Sequence, residues 1–354
     1  MRIVDQILAA LIGSGARLAR PGEFTQRAFE NGKLDLTQAE AVIDLIQARS
    51  ERALNMARQT RSGSLTKAIA SLQDQLLNHL AHLEAYIDFP DEDITPEVGL
   101  GLQNGVETLI ASCDQILGTA REGRLLRHGV TVVLAGEPNA GKSSLLNALI
   151  EEDRAIVSPV PGTTRDTIDA SLLLAGIPLT LVDTAGLRET TDLVEQLGVA
   201  RTKAAAGQAD LLLWVQDGTT PPPPLPSNAF PTDIPRIICR TKVDLPNFIP
   251  GPGLALSSIT GQGLPELKTE LSTLLRLTDT GGEHLVAINR RQEEVLQRAR
   301  TSLSQALQEL TEGLPPELTA TSFRIAQQAL GEIVGLDTNE DVLDRLFQTF
   351  CIGK

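Results

Sequence analysis

The sequence predicts an α/β domain with a doubly wound sheet, inserted into an all-α helical domain. Three observations carry this expectation over the 354 residues. Apolar residues recur at helical spacing through the opening third, short β-branched and aliphatic runs take over at Gly129, and helical spacing returns beyond about Asp279. The expected boundaries are a leading segment 1–34, a discontinuous helical domain 35–128 plus 279–354, and an α/β domain 129–278.

Taken in order, Thr37 and Glu40 read as a capping box ahead of Ala41, Val42, Leu45 and Ile46. From Leu65, the positions Ile69, Leu72, Leu76, Leu80, Leu83 and Ile87 continue one stripe of a long amphipathic helix that Pro90 ends. A further helix follows Pro96 through Val106, Leu109, Ile110 and Leu117. Strands are expected at 130–135, 179–182, 210–215, 237–239 and 254–256, mostly without alternation, as where helices cover both faces of a sheet. Four consecutive prolines, Pro221 to Pro224, predict a stiff surface spacer. The second helical arm runs through Val295, Leu296, Ala299, Leu303 and Leu307, then Ile325 to Ile333, and finally Val342 to Phe350. The two arms are expected to bury their stripes against each other, with the α/β domain joined through linkers near Gly123 and Gly281.

Composition narrows the function classes. Lys and Arg number 31 against 45 Asp and Glu, a formal net charge of −14, so the mean field repels phosphate polymers. Aromatics are 3%, too few for a base-stacking platform. No apolar run reaches the length of a membrane span, and Arg2, Asp5 and Gln6 interrupt the start, so the expected location is cytoplasmic, without a membrane. The three cysteines, Cys113, Cys239 and Cys351, are widely spaced and suggest neither a disulfide framework nor a zinc site.

The chemistry lies in the middle of the chain. Residues 136–143, GEPNAGKS, match GxxxxGK(S/T) directly after a strand and at the start of the helix carrying Leu145, Leu146 and Leu149. Backbone N–H groups from Asn139, Ala140, Gly141, Lys142, Ser143 and Ser144 would cradle phosphates. Lys142 supplies charge at the β and γ phosphates, and the Ser143 hydroxyl takes one Mg²⁺ position. Asp183, Thr184, Ala185 and Gly186 end the next strong strand, where the Asp reaches Mg²⁺ through water and the Gly N–H senses a γ-phosphate. Between them lies PGTTRD at 161–166, whose Thr164 could complete the Mg²⁺ shell.

Thr241-Lys242-Val243-Asp244 follows a later strand, and a carboxylate there accepts from both N1–H and the N2 amino group of guanine, a pattern adenine cannot offer. Ser257, Ser258 and Ile259 close the pocket after the last strand. This order of segments, mostly at strand carboxyl ends, reads as an α/β P-loop GTPase domain binding GTP. Two departures stand out. Thr241 occupies a position where GTPases usually have Asn, and it reaches less far. Leu187 replaces the Gln that orients the attacking water in Ras-like enzymes, so a carboxylate among Glu189, Asp192 and Glu195 is the natural substitute, and spacing does not choose between them.

With these residues assembled, the chain resembles the MnmE (TrmE) family of tRNA-modification GTPases over nearly its full length. The carriers are RPGEFTQRAFENGKLDLTQAEAVIDLI at 20–46, AYIDFPDE at 85–92, GEPNAGKSSLLNAL at 136–149, PGTTRD, DTAGLR and the terminal FCIGK at 350–354. The resemblance implies that Asn139 coordinates K⁺ with oxygens of Ser158, Val160 and Thr163, and that Glu195 orients the water. It implies a homodimer through the GTP-loaded G domains and joint action with the flavin protein GidA (MnmG). The product would be an aminomethyl-type substituent at C5 of the wobble uridine, with tRNA held mainly by that partner. It also places Lys33, Lys354 and the Cys351 thiol near a 5-formyltetrahydrofolate site. Residues 1–34 then correspond to a remnant of the family's folate-binding domain, so little folate binding and a largely monomeric nucleotide-free chain are expected. The alternative function is a GTP-gated assembly module without modifying activity.

Overall fold

The computed structural model describes residues 2–88, 100–136, 138–152, 169–183, 209–222, 234–275, 287–336 and 340–350. They form two compact units: Met1–Ala48, Ala53–Arg124 and His284–Lys354 make the first, Arg49–Arg52 and Leu125–Glu283 the second.

The described helices of the first unit are α1 (Arg2–Gly13), α2 (Glu23–Glu30), α3 (Leu36–Gln47), α4 (Glu51–Arg61), α5 (Ser64–Asp88) and α6 (Leu100–Leu117) from the front of the chain, and α10 (Arg290–Thr311), α11 (Pro316–Val334) and α12 (Glu340–Gln348) from its end. Helix α4 begins at the unit boundary. The α5 stripe read from the sequence is buried: Leu72, Leu76 and Leu83 join Leu109 of α6, Leu303 of α10 and Phe323 of α11 in one apolar cluster. The two arms thus share a core, in which each stripe removes the other's apolar surface from water. A smaller cluster seats Phe347 and Phe350 against Ala39 and Phe29.

The capping box of α3 differs from the expected one. Asp35 accepts from Gln38 N at 2.9 Å, while Gln38 Oε1 accepts from the Asp35 N–H at 3.0 Å. Thr37 and Glu40 have the same spacing but are drawn elsewhere. Thr37 Oγ1 donates to Asp35 Oδ1 at 2.6 Å, and the buried Glu40 carboxylate is gripped by Arg291 at 2.7 and 2.9 Å and by Gln292. A charged guanidinium from α10 outcompetes a neutral backbone N–H for that carboxylate. The linker expected near Gly123 agrees in position with the unit boundary between Arg124 and Leu125, and Gly123 itself is helical, within α7 (Ala120–His128).

The second unit holds a sheet in the order β2-β3-β1-β4-β5-β6. Its strands are β1 (Val130–Gly136), β2 (Asp169–Leu174), β3 (Ile177–Asp183), β4 (Leu211–Asp217), β5 (Arg236–Thr241) and β6 (Leu254–Ala255), accompanied by α8 (Lys142–Glu152) and α9 (Leu264–Leu274). All neighbours are parallel except β2 and β3. Strands β1 and β4 are buried almost throughout, as their unalternating aliphatic runs predict. Strand β2 is not among the strands expected from the sequence. It pairs with β3 through a two-residue turn, Ala175 at φ 51° and Gly176 at φ 75°, and Ala lacks the Asn or Asp signature that marks such a turn. Among the described residues no helix is long and apolar enough to cross a membrane.

Candidate functional site

Strand β1 is flanked by β3 on one side and β4 on the other, so the chain order reverses at its carboxyl end, the point where doubly wound sheets open a crevice. The loop that leaves β1 there is shaped by unusual backbone angles. Gly136 has φ 148°, Asn139 φ 61° and Gly141 φ 88°, which turn the chain tightly into the first turn of α8. A Cβ on Gly136 would sit 1.9 Å from the Val215 carbonyl oxygen, so only glycine lets β1 approach β4 here. The N–H groups of the first turn of α8 have no intrahelical acceptors and favour an anion. Lys142 is buried at the head of the helix, its ammonium donating to the Gly136 carbonyl at 3.0 Å, while Ser143 and Ser144 are exposed beside it. The donors offered, a serine hydroxyl and the Asn139 amide, are hard oxygens of the kind that hold Mg²⁺ and K⁺.

The other half of the candidate site is built on β5 and β6. Thr241, the last residue of β5, is buried, and its Oγ1 donates to the Ala140 carbonyl at 2.7 Å and lies 3.1 Å from the Gln216 carbonyl. The shorter reach expected of Thr is therefore sufficient to brace the phosphate loop, though a hydroxyl has one proton for the two carbonyls that an Asn amide could serve separately. Lys242 follows with φ 63°, a left-handed angle uncommon for a residue with a Cβ. Its ammonium pairs with Asp217 Oδ2 at 2.6 Å. Asp244 is exposed on the same loop. The neighbouring loop is tied to it by the Val243 N–H, which donates to Leu256 O at 3.1 Å. Ser257 is buried and its Oγ accepts from the backbone N–H groups of Ile259 and Thr260, a tight turn that holds Ser258 half-buried and leaves Ile259 exposed.

Thus the structure gathers Asn139, Ala140, Gly141, Lys142 and Thr241 around one loop, with Lys242, Asp244 and Ser257 on the adjoining strand ends. Asp183 ends β3, adjacent to β1 in the sheet. Ser158, Val160, Thr163, Thr164, Thr184, Ala185, Gly186, Glu189, Asp192, Glu195, Cys351 and Lys354 lie outside the described residues. Lys33 is exposed in the turn after α2, in the first unit. The thiols of Cys113 and Cys239 are buried, and burial pushes them up to about 11 and about 12, so neither is a thiolate nucleophile at neutral pH.

One residue that sequence reasoning passed over is Asp217. Burial opposes its ionisation, yet hydrogen bonds from Lys242 and from Thr219 together outweigh that cost and hold its carboxyl down to about 2. An acidic residue closing a hydrophobic strand, LLLWVQD, was the available signal.

The chain matches the MnmE helical domain over residues 36–351 and the N-terminus of GTP-binding protein TrmE over residues 1–33. It is 44% identical to the tRNA modification GTPase MnmE of Akkermansia muciniphila over 362 aligned residues, spanning 100% of this chain and 80% of that protein. The MnmE proteins of Symbiobacterium thermophilum and of a Thermus thermophilus strain are each 44% identical, with 99% of this chain aligned to 79% and 78% of theirs.

Proposed function

Because the chain belongs to the MnmE family of tRNA modification GTPases, we propose that it hydrolyses GTP to GDP and phosphate in the K⁺-stimulated modification of the tRNA wobble uridine at C5, acting with the flavin protein GidA (MnmG). The observation that carries the nucleotide reading is the hydrogen bond from Thr241 to Ala140. It ties a loop suited to guanine to a loop suited to phosphates, across 101 residues of sequence. The assignment of residues 129–278 as the G domain, and of 35–128 with 279–354 as the helical domain, is part of the same proposal.

In this reading Asn139 to Ser144 donate to the phosphates, and Lys142 exchanges the Gly136 carbonyl for phosphate oxygens when GTP enters. That exchange costs little, since the ammonium is already stripped of water at the loop. Ser143 and Thr164 would hold Mg²⁺, with Asp183, Thr184, Ala185 and Gly186 beside it. Asn139, Ser158, Val160 and Thr163 would hold K⁺, which would supply positive charge where negative charge develops on the phosphates. Glu195 orients the attacking water. Asp244 accepts from the two guanine donors, and Ser257, Ser258 and Ile259 cover the base. Nucleotide-dependent pairing of two G domains, tRNA contact mainly through the flavin partner and a cytoplasmic location complete the proposal.

Two measurements test it. Asp244→Asn is expected to reduce the preference for GTP over XTP by at least about tenfold in competition binding, because losing one charged hydrogen bond costs about 1.5 kcal/mol or more. Unchanged preference removes Asp244 from the base site. Hydrolysis in KCl is expected to exceed that in NaCl at equal ionic strength, since no arginine finger is assigned and a cation of suitable size must supply the charge. Equal rates in the two salts remove the K⁺ site.

A further inference from the structure

Behind the Thr241–Asp244 loop lies a second layer of polar groups that the nucleotide reading does not use. The Arg240 guanidinium is 1% exposed and donates to the carbonyls of Thr220 at 2.9 Å, Ile249 at 2.8 Å and Gly218 at 3.4 Å. These bonds fasten the segment after β4 to the one after β5. On the first of these segments, Asp217 Oδ1 accepts from the Thr219 N–H at 2.9 Å and from its hydroxyl at 2.7 Å, which leaves Oδ2 aimed at Lys242. Lys242 in turn holds φ 63° without being glycine, and it stands between the brace residue Thr241 and the base residue Asp244. A left-handed angle at a lysine needs an external hold, and the 2.6 Å ion pair with Asp217 supplies one.

From this arrangement we infer that Asp217 is a positioning residue for guanine-nucleotide binding: by pairing with Lys242 it locks the left-handed backbone that aims Asp244. The inference rests on the reading of Thr241–Asp244 as the base-recognition loop. Asp217 acts through the backbone and does not touch the ligand. With Asp217 in place, the loop is set before nucleotide arrives; without it, the side-chain hold on the left-handed angle is lost, and the backbone bonds from Val243 N–H to Leu256 O and from Leu245 N–H to Lys242 O are left to steady the loop alone, so that the aim of Asp244 loosens. The groups around the pair are Thr219 on the Asp217 loop and the Arg240 guanidinium, whose bonds to the Gly218 and Thr220 carbonyls commit it to the backbone, so it does not stand in for the Lys242 ammonium.

The test is a cycle of variants on the full chain, read by fluorescent GDP binding and by hydrolysis. Asp217→Asn keeps an acceptor for Thr219 but presents an amide to Lys242. It is expected to raise the Kd for GDP about tenfold while kcat at saturating GTP stays within about twofold, because the strain acts on the free loop and not on the transition state. Lys242→Gly removes the ammonium and also the need for a hold, since glycine adopts positive φ freely. In the Lys242→Gly background, Asp217→Asn is therefore expected to change Kd by less than about twofold. A tenfold change in both backgrounds would show that Asp217 acts other than through Lys242 and overturn the inference, as would no change in the original background. Asp244→Asn, measured alongside with GDP and XDP, separates the two levels. If it shifts preference toward XDP while Asp217→Asn is silent, the inference alone fails; if it leaves guanine preference intact, the base-site reading fails and the inference with it.

Discussion

Replacing Glu195 by alanine is expected to lower GTP turnover by about 10² to 10⁴, the usual loss when a positioned acid–base group is removed. GTP affinity should stay within a few-fold, because a water-orienting carboxylate acts as the nucleophile attacks and touches little of the bound nucleotide. Leu187 makes the expectation sharp: at the position where a glutamine orients water in Ras-like enzymes, this chain has a side chain with no hydrogen-bonding group. Single-turnover hydrolysis with Glu189→Ala and Asp192→Ala as companions is the measurement. A larger loss at either companion reassigns the role to it.

Gly136→Ala should destroy nucleotide binding and also weaken the second unit. The added methyl would lie 1.9 Å from Val215 O and 2.9 Å from its carbonyl carbon, both backbone atoms of the paired strand, so no side-chain rotation relieves the clash. Positive φ adds strain of its own. Together these should cost roughly 4 kcal/mol, combining overpacking with a strained backbone angle. Gly261→Ala is the matched comparison: it too has positive φ, at 77°, but nothing stands within 4 Å of the added atom, and the expected loss is about 1 kcal/mol. Urea unfolding and GDP titration of the two variants give the contrast directly. Equal losses would mean that backbone strain, and not the approach of β1 to β4, dictates glycine at 136.

The elements legible beforehand share a physical cause. A stripe such as Leu65 to Leu83 depends on helical periodicity alone, and a buried parallel strand such as Leu211–Asp217 depends on an unbroken aliphatic run; neither requires knowledge of a distant partner. The phosphate loop is equally local, since Gly136, Gly141 and the start of α8 lie within a few residues. Elements that local patterns misplace depend on competition. Two capping boxes are available around α3, and the choice between them is made by Arg291, which lies 251 residues from Glu40 in sequence. Strand β2 depends on a turn whose first residue, Ala175, carries no turn preference, so the pairing with β3 decides it.

The order of motifs, the acidic charge, the two helical arms around an α/β sheet and the residue types able to meet phosphates and guanine are all written in one dimension. Each follows from composition or from spacing along the chain, and a linear polymer carries both before it folds. Folding alone establishes that Thr241 is long enough to brace Ala140, that Glu40 belongs to Arg291 and that Asp217 faces Lys242. Those pairings depend on which strand ends and helix faces come within about 3 Å, the range in which a hydrogen bond has its strength, and no local pattern records that distance.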